Sequence, residues 1–234
     1  MKKSLTENQL SRRHMLKMGL TGTAAGLFAA GAMDIAEPLV ARAQETSTPD
    51  AALAELMAGN KRYLSSGINA SAKDLATLRQ RTVNKQQPFA AVLSCADSRV
   101  PAEIVFDQTI GQIFVTRVAG NVVTPEIIGS LEYGAAELGT KVILVMGHSS
   151  CGAVKATMHG GEVPGQISSL FPHIQPAVDQ SGHDLEAAIR ANARNQAMLL
   201  SQASTVISGM VKEGKIKVVP AYYDLGSGAV SVLQ

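Results

Sequence analysis

The stretch FAAVLSCADSR, residues 89–99, decides the fold, because a continuous apolar run leads directly into cysteine, aspartate and arginine. A second stretch of the same kind, KVILVMGHSSC, occupies residues 141–151. Continuous apolar runs of this length are typical of strands buried on both faces, as in parallel sheets covered by helices. Both stretches therefore predict a buried strand that ends at side chains capable of chemistry.

Further apolar runs occupy residues 113–118 and 216–219, and amphipathic helical patterns lie between most of the runs. Alternating strands and helices predict an α/β fold with a mainly parallel central β-sheet flanked by helices. We expect residues 229–233 to form an edge strand, which could run antiparallel. Capping residues and apolar periodicity predict helices over residues 48–67, 74–81, 124–139 and 184–210.

Composition and charge limit the classes of protein. With 234 residues and 46% hydrophobic composition, the chain is long enough for one well-packed domain. The formal net charge is +2, but the first 43 residues carry six Lys and Arg against three acids, which leaves 15 basic and 16 acidic side chains in the remainder. Because no basic cluster remains there, we expect neither nucleic acid nor an anionic membrane surface as a partner.

The first 43 residues have the features of an export signal. The segment SRRHMLK, residues 11–17, resembles the twin-arginine consensus, and the apolar run over residues 18–33 is shorter than the roughly 20 residues of a membrane span. The triplet Ala41-Arg42-Ala43 suits signal peptidase. We therefore expect a signal peptide over 1–43, a linker over 44–50, a catalytic domain over 51–234, and a periplasmic or otherwise exported protein. An uncleaved membrane-anchoring helix is the alternative.

Cysteine and histidine side chains follow two of the predicted strands. Cys95 ends the first run and His148 the third, so both are expected at the carboxyl edge of one parallel sheet, where open α/β sheets bind ligands. Cys151, three residues after His148, can converge on the same ion. Two thiolates and an imidazole, with a fourth position left open, are an accepted donor set for catalytic zinc. The sequence predicts a zinc site formed by Cys95, His148 and Cys151.

An acidic and a basic residue lie in the same loop as Cys95. Arg99 can pair bidentately with Asp97, which would hold the carboxylate away from the metal and oriented toward a zinc-bound water. Alternatively, Asp97 could leave Arg99, become a fourth metal ligand and close the site. The two cysteines allow two other interpretations, a disulfide between Cys95 and Cys151 or a purely structural zinc site.

The motifs CADSRV, residues 95–100, and GHSSCGAV, residues 147–154, together resemble those of β-class carbonic anhydrases over about residues 51–225. The resemblance implies the β-carbonic anhydrase fold and one Zn²⁺ per subunit, held by Cys95, His148 and Cys151. It also implies that Asp97 and Arg99 form the catalytic dyad. In an inactive state, Asp97 would be the fourth ligand.

The resemblance also implies a substrate pocket. Gln86, Phe114 and Tyr133 occupy the offsets of the family's pocket residues. In that family the pocket forms across a subunit interface, so a homodimer or homotetramer is expected. Apart from its own second copy, the expected partner is a small molecule, with no membrane contact after signal cleavage.

These features predict an enzyme, a carbonic anhydrase. The expected reaction is reversible hydration of carbon dioxide to bicarbonate and a proton, by attack of zinc-bound hydroxide on CO₂. One alternative is a hydrolase of carbonyl sulfide or carbon disulfide acting at the same site. Another is a non-catalytic zinc-binding or redox dithiol protein.

Overall fold

A five-stranded sheet lies at the centre of the computed structural model, which describes residues 46–65 and 75–234. The strands are β1 (Ala90–Ser94), β2 (Ile113–Arg117), β3 (Val142–His148), β4 (Lys217–Tyr223) and β5 (Val230–Val232). Their spatial order is β2-β1-β3-β4-β5. The predicted signal peptide, residues 1–43, lies outside the described residues.

The sheet is mainly parallel, as predicted. Strands β2, β1, β3 and β4 are parallel to their neighbours, and only β5 pairs antiparallel, with β4. Ser94 of β1 is in register with Met146 of β3, so the ends of these two strands lie side by side. This register places the residues that follow β1 next to those that end β3.

Helices cover both faces of the sheet. The α-helices are α1 (Pro49–Leu64), α2 (Leu75–Thr82), α3 (Ala102–Val105), α4 (Pro125–Glu132), α5 (Gly152–His159), α6 (Phe171–Ser181), α7 (Leu185–Ala203) and α8 (Thr205–Lys212). A π-helical turn, Tyr133–Glu137, continues α4. Within the described ranges, no helix is both long and apolar enough to cross a membrane.

Alternate residues of β1 enter different cores, as the two-residue period of a strand requires. Ala90 and Val92 pack in a cluster with Leu56 of α1 and with residues of α3. Ala91 and Leu93 belong to a second cluster, formed with α4, α7 and α8. Both faces of the strand are therefore buried, which explains its continuous apolar sequence.

The predicted single helix over residues 184–210 is wrong, because Ser204 divides it into α7 and α8. Ser204 has an extended backbone, with φ −93° and ψ 115°. Its hydroxyl oxygen accepts the Ile207 N–H at 3.0 Å and its hydroxyl donates to the Glu132 carboxylate at 2.6 Å. The Ser204 side chain accepts an N–H that would donate to the carbonyl four residues earlier in a continuous helix, so α7 ends and α8 begins at this residue.

Candidate metal centre

Two sulfurs and an imidazole nitrogen meet at the carboxyl edge of the sheet. The candidate ligand atoms of Cys95, His148 and Cys151 all lie within 4.8 Å of one another. Their exposed fractions are 4%, 0% and 1%. Thiolate and neutral imidazole are the donors that zinc prefers, and three protein ligands leave a fourth position for chemistry. The group thus fits a zinc ion, and the structure brings together the three ligands predicted from the sequence.

The strand ends explain this convergence. Cys95 directly follows β1, and His148 is the last residue of the neighbouring β3. Cys151 is the N-cap residue of α5 and is reached by a tight turn in which Ser150 has a φ of 57°. Both cysteines are free, so no disulfide links them.

The ring of His148 is oriented by its neighbour. Its Nδ1 lies 3.0 Å from the carbonyl oxygen of Ser149, so Nδ1–H donates and Nε2 carries the lone pair. Nε2 is buried and has no hydrogen-bond partner among the described residues. Metal-binding histidines commonly donate their second ring N–H to a carbonyl in this way. The orphaned Nε2 is therefore the atom available to a metal.

Hydrogen bonds favour the ionised form of Cys95. The thiol of Cys151 has the largest effect in lowering the pKa of Cys95, and the backbone N–H of Gly120 lowers it further, against the opposing effect of burial. The Gly120 nitrogen is 3.3 Å from Sγ of Cys95. Since the thiolate is the form that binds metal, this environment prepares Cys95 as a ligand.

Asp97 and Arg99 form the bidentate pair that the sequence predicted. Nε of Arg99 donates to Oδ1 of Asp97 at 2.9 Å, and Nη2 donates to Oδ2 at 2.7 Å. The guanidinium holds the pKa of the Asp97 carboxyl well below its usual range. Oδ2 also lies 3.9 Å from Nε2 of His148. A carboxylate thus lies beside the metal group while both of its oxygens are bound by arginine.

Arg117 contributes to the site and was not predicted. It ends β2, and its side chain donates to the carbonyl oxygens of Cys95, at 3.0 Å, and Asp97, at 2.5 Å. The guanidinium of Arg117 therefore fixes the backbone of the loop that carries the candidate ligand Cys95 and the carboxylate of Asp97. One feature of the sequence could have indicated Arg117. It is a charged residue at the end of an apolar strand, next to the strand that ends at Cys95.

The predicted pocket residues are only partly brought together. Phe114 of β2 and Tyr133 pack with their ring centroids 6.4 Å apart, and Tyr133 is 50% exposed. Gln86 is exposed and precedes β1, whereas Cys95 follows it. A strand of five residues spans about 17 Å, so Gln86 and Cys95 belong to opposite ends of β1.

The fold and the donor set define an α/β protein with a three-ligand metal site suited to zinc. The carbonic anhydrase family profile matches residues 90–230. A carbonic anhydrase of Mycolicibacterium smegmatis is 35% identical over 194 residues, covering 80% of this chain and 94% of that protein. The chain belongs to the carbonic anhydrase family.

Solved structures identify the class within that family. The Coccomyxa β-carbonic anhydrase in complex with acetazolamide matches with a TM-score of 0.62 and 28% identity, over 70% of this chain and 80% of that one. A tetrameric β-carbonic anhydrase of Sordaria macrospora shares the fold with a TM-score of 0.60 and 23% identity, over 74% and 95% of the chains. The chain is of the β class.

Proposed function

We propose that the chain is a zinc-dependent carbonic anhydrase that interconverts carbon dioxide and bicarbonate plus a proton. The observation that carries this proposal is the buried Cys95, His148 and Cys151 group with a carboxylate at its edge. When bound, zinc would acidify a water molecule and supply the nucleophile for CO₂.

Asp97 would orient the attacking molecule. With Arg99 on both oxygens, the carboxylate stays ionised and keeps a free lone pair on Oδ2, which faces His148. An ionised carboxylate at this position can accept a hydrogen bond from the attacking O–H and fix its direction. The bidentate pair also limits rotation of Asp97 toward the metal position, where it would become a fourth ligand.

The substrate-binding roles of Phe114, Tyr133 and Gln86 form the second part of the proposal. The aromatic pair would offer an apolar wall to CO₂, and Phe114 is in register with Ala91, toward the end of β1 that is remote from Cys95. Gln86 lies at the far end of β1 from the ligands of its own chain, which suits a pocket completed by a second copy. We therefore propose a homodimer or homotetramer, and the Sordaria macrospora relatives are tetrameric.

Export is the third part of the proposal. Arg12 and Arg13, the apolar run and the Ala41-Arg42-Ala43 triplet support a twin-arginine signal cleaved before Gln44, which would place the enzyme in the periplasm or otherwise outside the cytoplasm. Replacing both arginines by lysine in the full chain should retain the protein in the cytoplasm. If cell fractionation and N-terminal sequencing find the mature Gln44 form of this variant outside the cytoplasm, the twin-arginine assignment fails.

Zinc content and CO₂ hydration, measured on the same samples, test the enzymatic proposal. We expect one zinc per chain and rapid hydration for the wild type, and loss of both for His148→Ala. His159→Ala is the matched control, because His159 is an exposed histidine that ends α5. It should keep both properties. Bound zinc without hydration in the wild type would contradict the proposed reaction, and retained zinc in His148→Ala would contradict the ligand assignment.

A further inference from the structure

A buried asparagine is connected to the Cys95 thiolate through one backbone residue. Gly120 donates its N–H to Sγ of Cys95 at 3.3 Å. The carbonyl oxygen of the same Gly120 accepts a hydrogen bond from Nδ2 of Asn192, at 2.8 Å. Asn192 lies in the middle of α7 and is fully buried, although it contacts none of the ligands through a hydrogen bond.

The backbone at Gly120 admits little variation. Its φ is +72°, a left-handed conformation that a side chain would strain. A Cβ at this position would lie 2.7 Å from Cδ1 of Ile174 and 3.3 Å from Cβ of Ala153. The segment therefore approaches α5 and α6 closely, and its N–H direction depends on how its two flanking peptide units are held.

The amide of Asn192 is itself oriented by Gln196, one turn further along α7. Nε2 of Gln196 donates to Oδ1 of Asn192 at 3.2 Å, which leaves Nδ2 to face Gly120. Gln196 also donates to the carbonyl oxygen of His173 and accepts the N–H of Val123, at 2.9 Å and 2.8 Å. Each of these amide contacts has a defined donor and acceptor, so the network specifies one orientation of the Asn192 and Gln196 side-chain amides.

We propose that Asn192 is a positioning residue for the metal centre, which fixes Gly120 so that its N–H donates to the Cys95 thiolate. A hydrogen bond to a ligating sulfur withdraws charge from it and orients its lone pairs toward the metal. Loss of Asn192 should therefore leave Cys95 more electron-rich and less well placed. The inference rests on metal binding by the proposed enzyme and is independent of its substrate.

Cobalt substitution tests this inference without an activity measurement. The sulfur-to-cobalt charge-transfer band of the Co²⁺-loaded protein should move to lower energy in Asn192→Leu, because a thiolate with fewer hydrogen bonds is easier to oxidise. Zinc release to a chromogenic chelator should become about tenfold faster, the lower range for loss of an outer contact. An unchanged band and an unchanged release rate would overturn the proposal.

Asn60 provides the matched control. It is 2% exposed and its amide also holds backbone groups, the carbonyl oxygens of Val105 and Gly228 and the N–H of Val230. Asn60→Leu should lower the melting temperature as Asn192→Leu does, while its cobalt band stays at the wild-type position. A shift of the same size in Asn60→Leu would show that general destabilisation moves the band, and would overturn the assignment to Asn192.

Two further measurements cover the case in which Asn192→Leu does not fold. Gln196→Met keeps Asn192 but removes the amide that orients it, so the band should shift in the same direction. In the wild type loaded with NMR-active cadmium, scalar coupling should connect the metal to the amide proton of Gly120 through the sulfur of Cys95. Absence of that coupling would contradict the proposed hydrogen bond. If the chain bound no metal at all, the ligand assignment would fail instead.

Discussion

Oδ2 of Asp97 lies 3.9 Å from Nε2 of His148, although Arg99 binds both oxygens of the same carboxylate. At this distance, the Asp97 carboxylate puts a negative charge beside the three candidate ligand atoms without being one of them. In the proposed enzyme, this arrangement would separate metal binding, by Cys95, His148 and Cys151, from the orientation of reactants by Asp97 and Arg99.

Asp97→Ala should separate these two roles. The variant is expected to retain one zinc per chain, since its three ligands are untouched. Its CO₂ hydration rate should fall by about 100-fold or more, the typical effect of losing a positioned acid–base group. Zinc analysis and stopped-flow kinetics on one preparation check both parts. A variant rate within about twofold of the wild type would remove Asp97 from the mechanism.

Arg117→Met should slow the reaction through the backbone of the 95–97 loop. It removes the donors to the carbonyl oxygens of Cys95 and Asp97. We expect a hydration rate about tenfold lower, as is usual when an outer support of a metal site is lost. Arg194→Met is the control, because Arg194 also donates to a main-chain oxygen, that of Gln234. Equal losses in the two variants would contradict a specific role for Arg117.

Gly120→Ala should destabilise the protein by about 1–3 kcal/mol, because the residue combines a positive φ with a close contact to Ile174. Gly129→Ala is the matched substitution, in an exposed helical position where a new Cβ meets nothing within 4 Å. It should be neutral or stabilising by up to about 1 kcal/mol. Denaturant unfolding of the two variants gives the comparison, and equal free energies of unfolding would contradict the strained geometry.

The turn after β4 should weaken in acid. Oδ1 of Asp224 accepts hydrogen bonds from the hydroxyl and the N–H of Ser227, both at 2.7 Å, and they lower the pKa of Asp224. A lowered folded pKa means that the stabilisation is fully present above the unfolded pKa of about 4 and is lost as the pH falls through the folded value.

The difference in free energy of unfolding between wild type and Asp224→Ala should therefore be constant from about pH 5 to 7 and shrink below about pH 4. Urea unfolding across that range measures it. A difference in free energy of unfolding that grows on acidification would contradict the predicted direction of the pH dependence.

Features close to the strand ends were predictable from the sequence. Parallel strands must bring Cys95 and His148 to the same edge, and the short spacings to Cys151 and Arg99 leave few other arrangements. The edge strand β5 was predicted from the apolar residues 229–233, whereas its antiparallel direction was only one of the possibilities. These predictions rest on periodicity and local spacing, which a single sequence displays directly.

The sequence analysis did not predict features that depend on residues far apart along the chain. At the break, the hydroxyl of Ser204 donates to Glu132, 72 residues away, and the helical pattern on either side conceals the break. Helix α6 contains Pro172 and Pro176, which obscure its helical pattern in the sequence. Asn192 acts through a backbone residue 72 positions earlier, a relationship that only the folded chain reveals.

The most direct test of the central claim is stopped-flow CO₂ hydration by the zinc-loaded protein, with and without a chelator. Two thiolates neutralise the zinc charge, so the activity should rise between about pH 6.5 and 9, and a pH of about 8.5 is a suitable starting point. We predict rapid hydration that the chelator abolishes and zinc restores. With one zinc bound per chain, a rate no faster than the buffer alone would contradict the assignment of carbonic anhydrase activity.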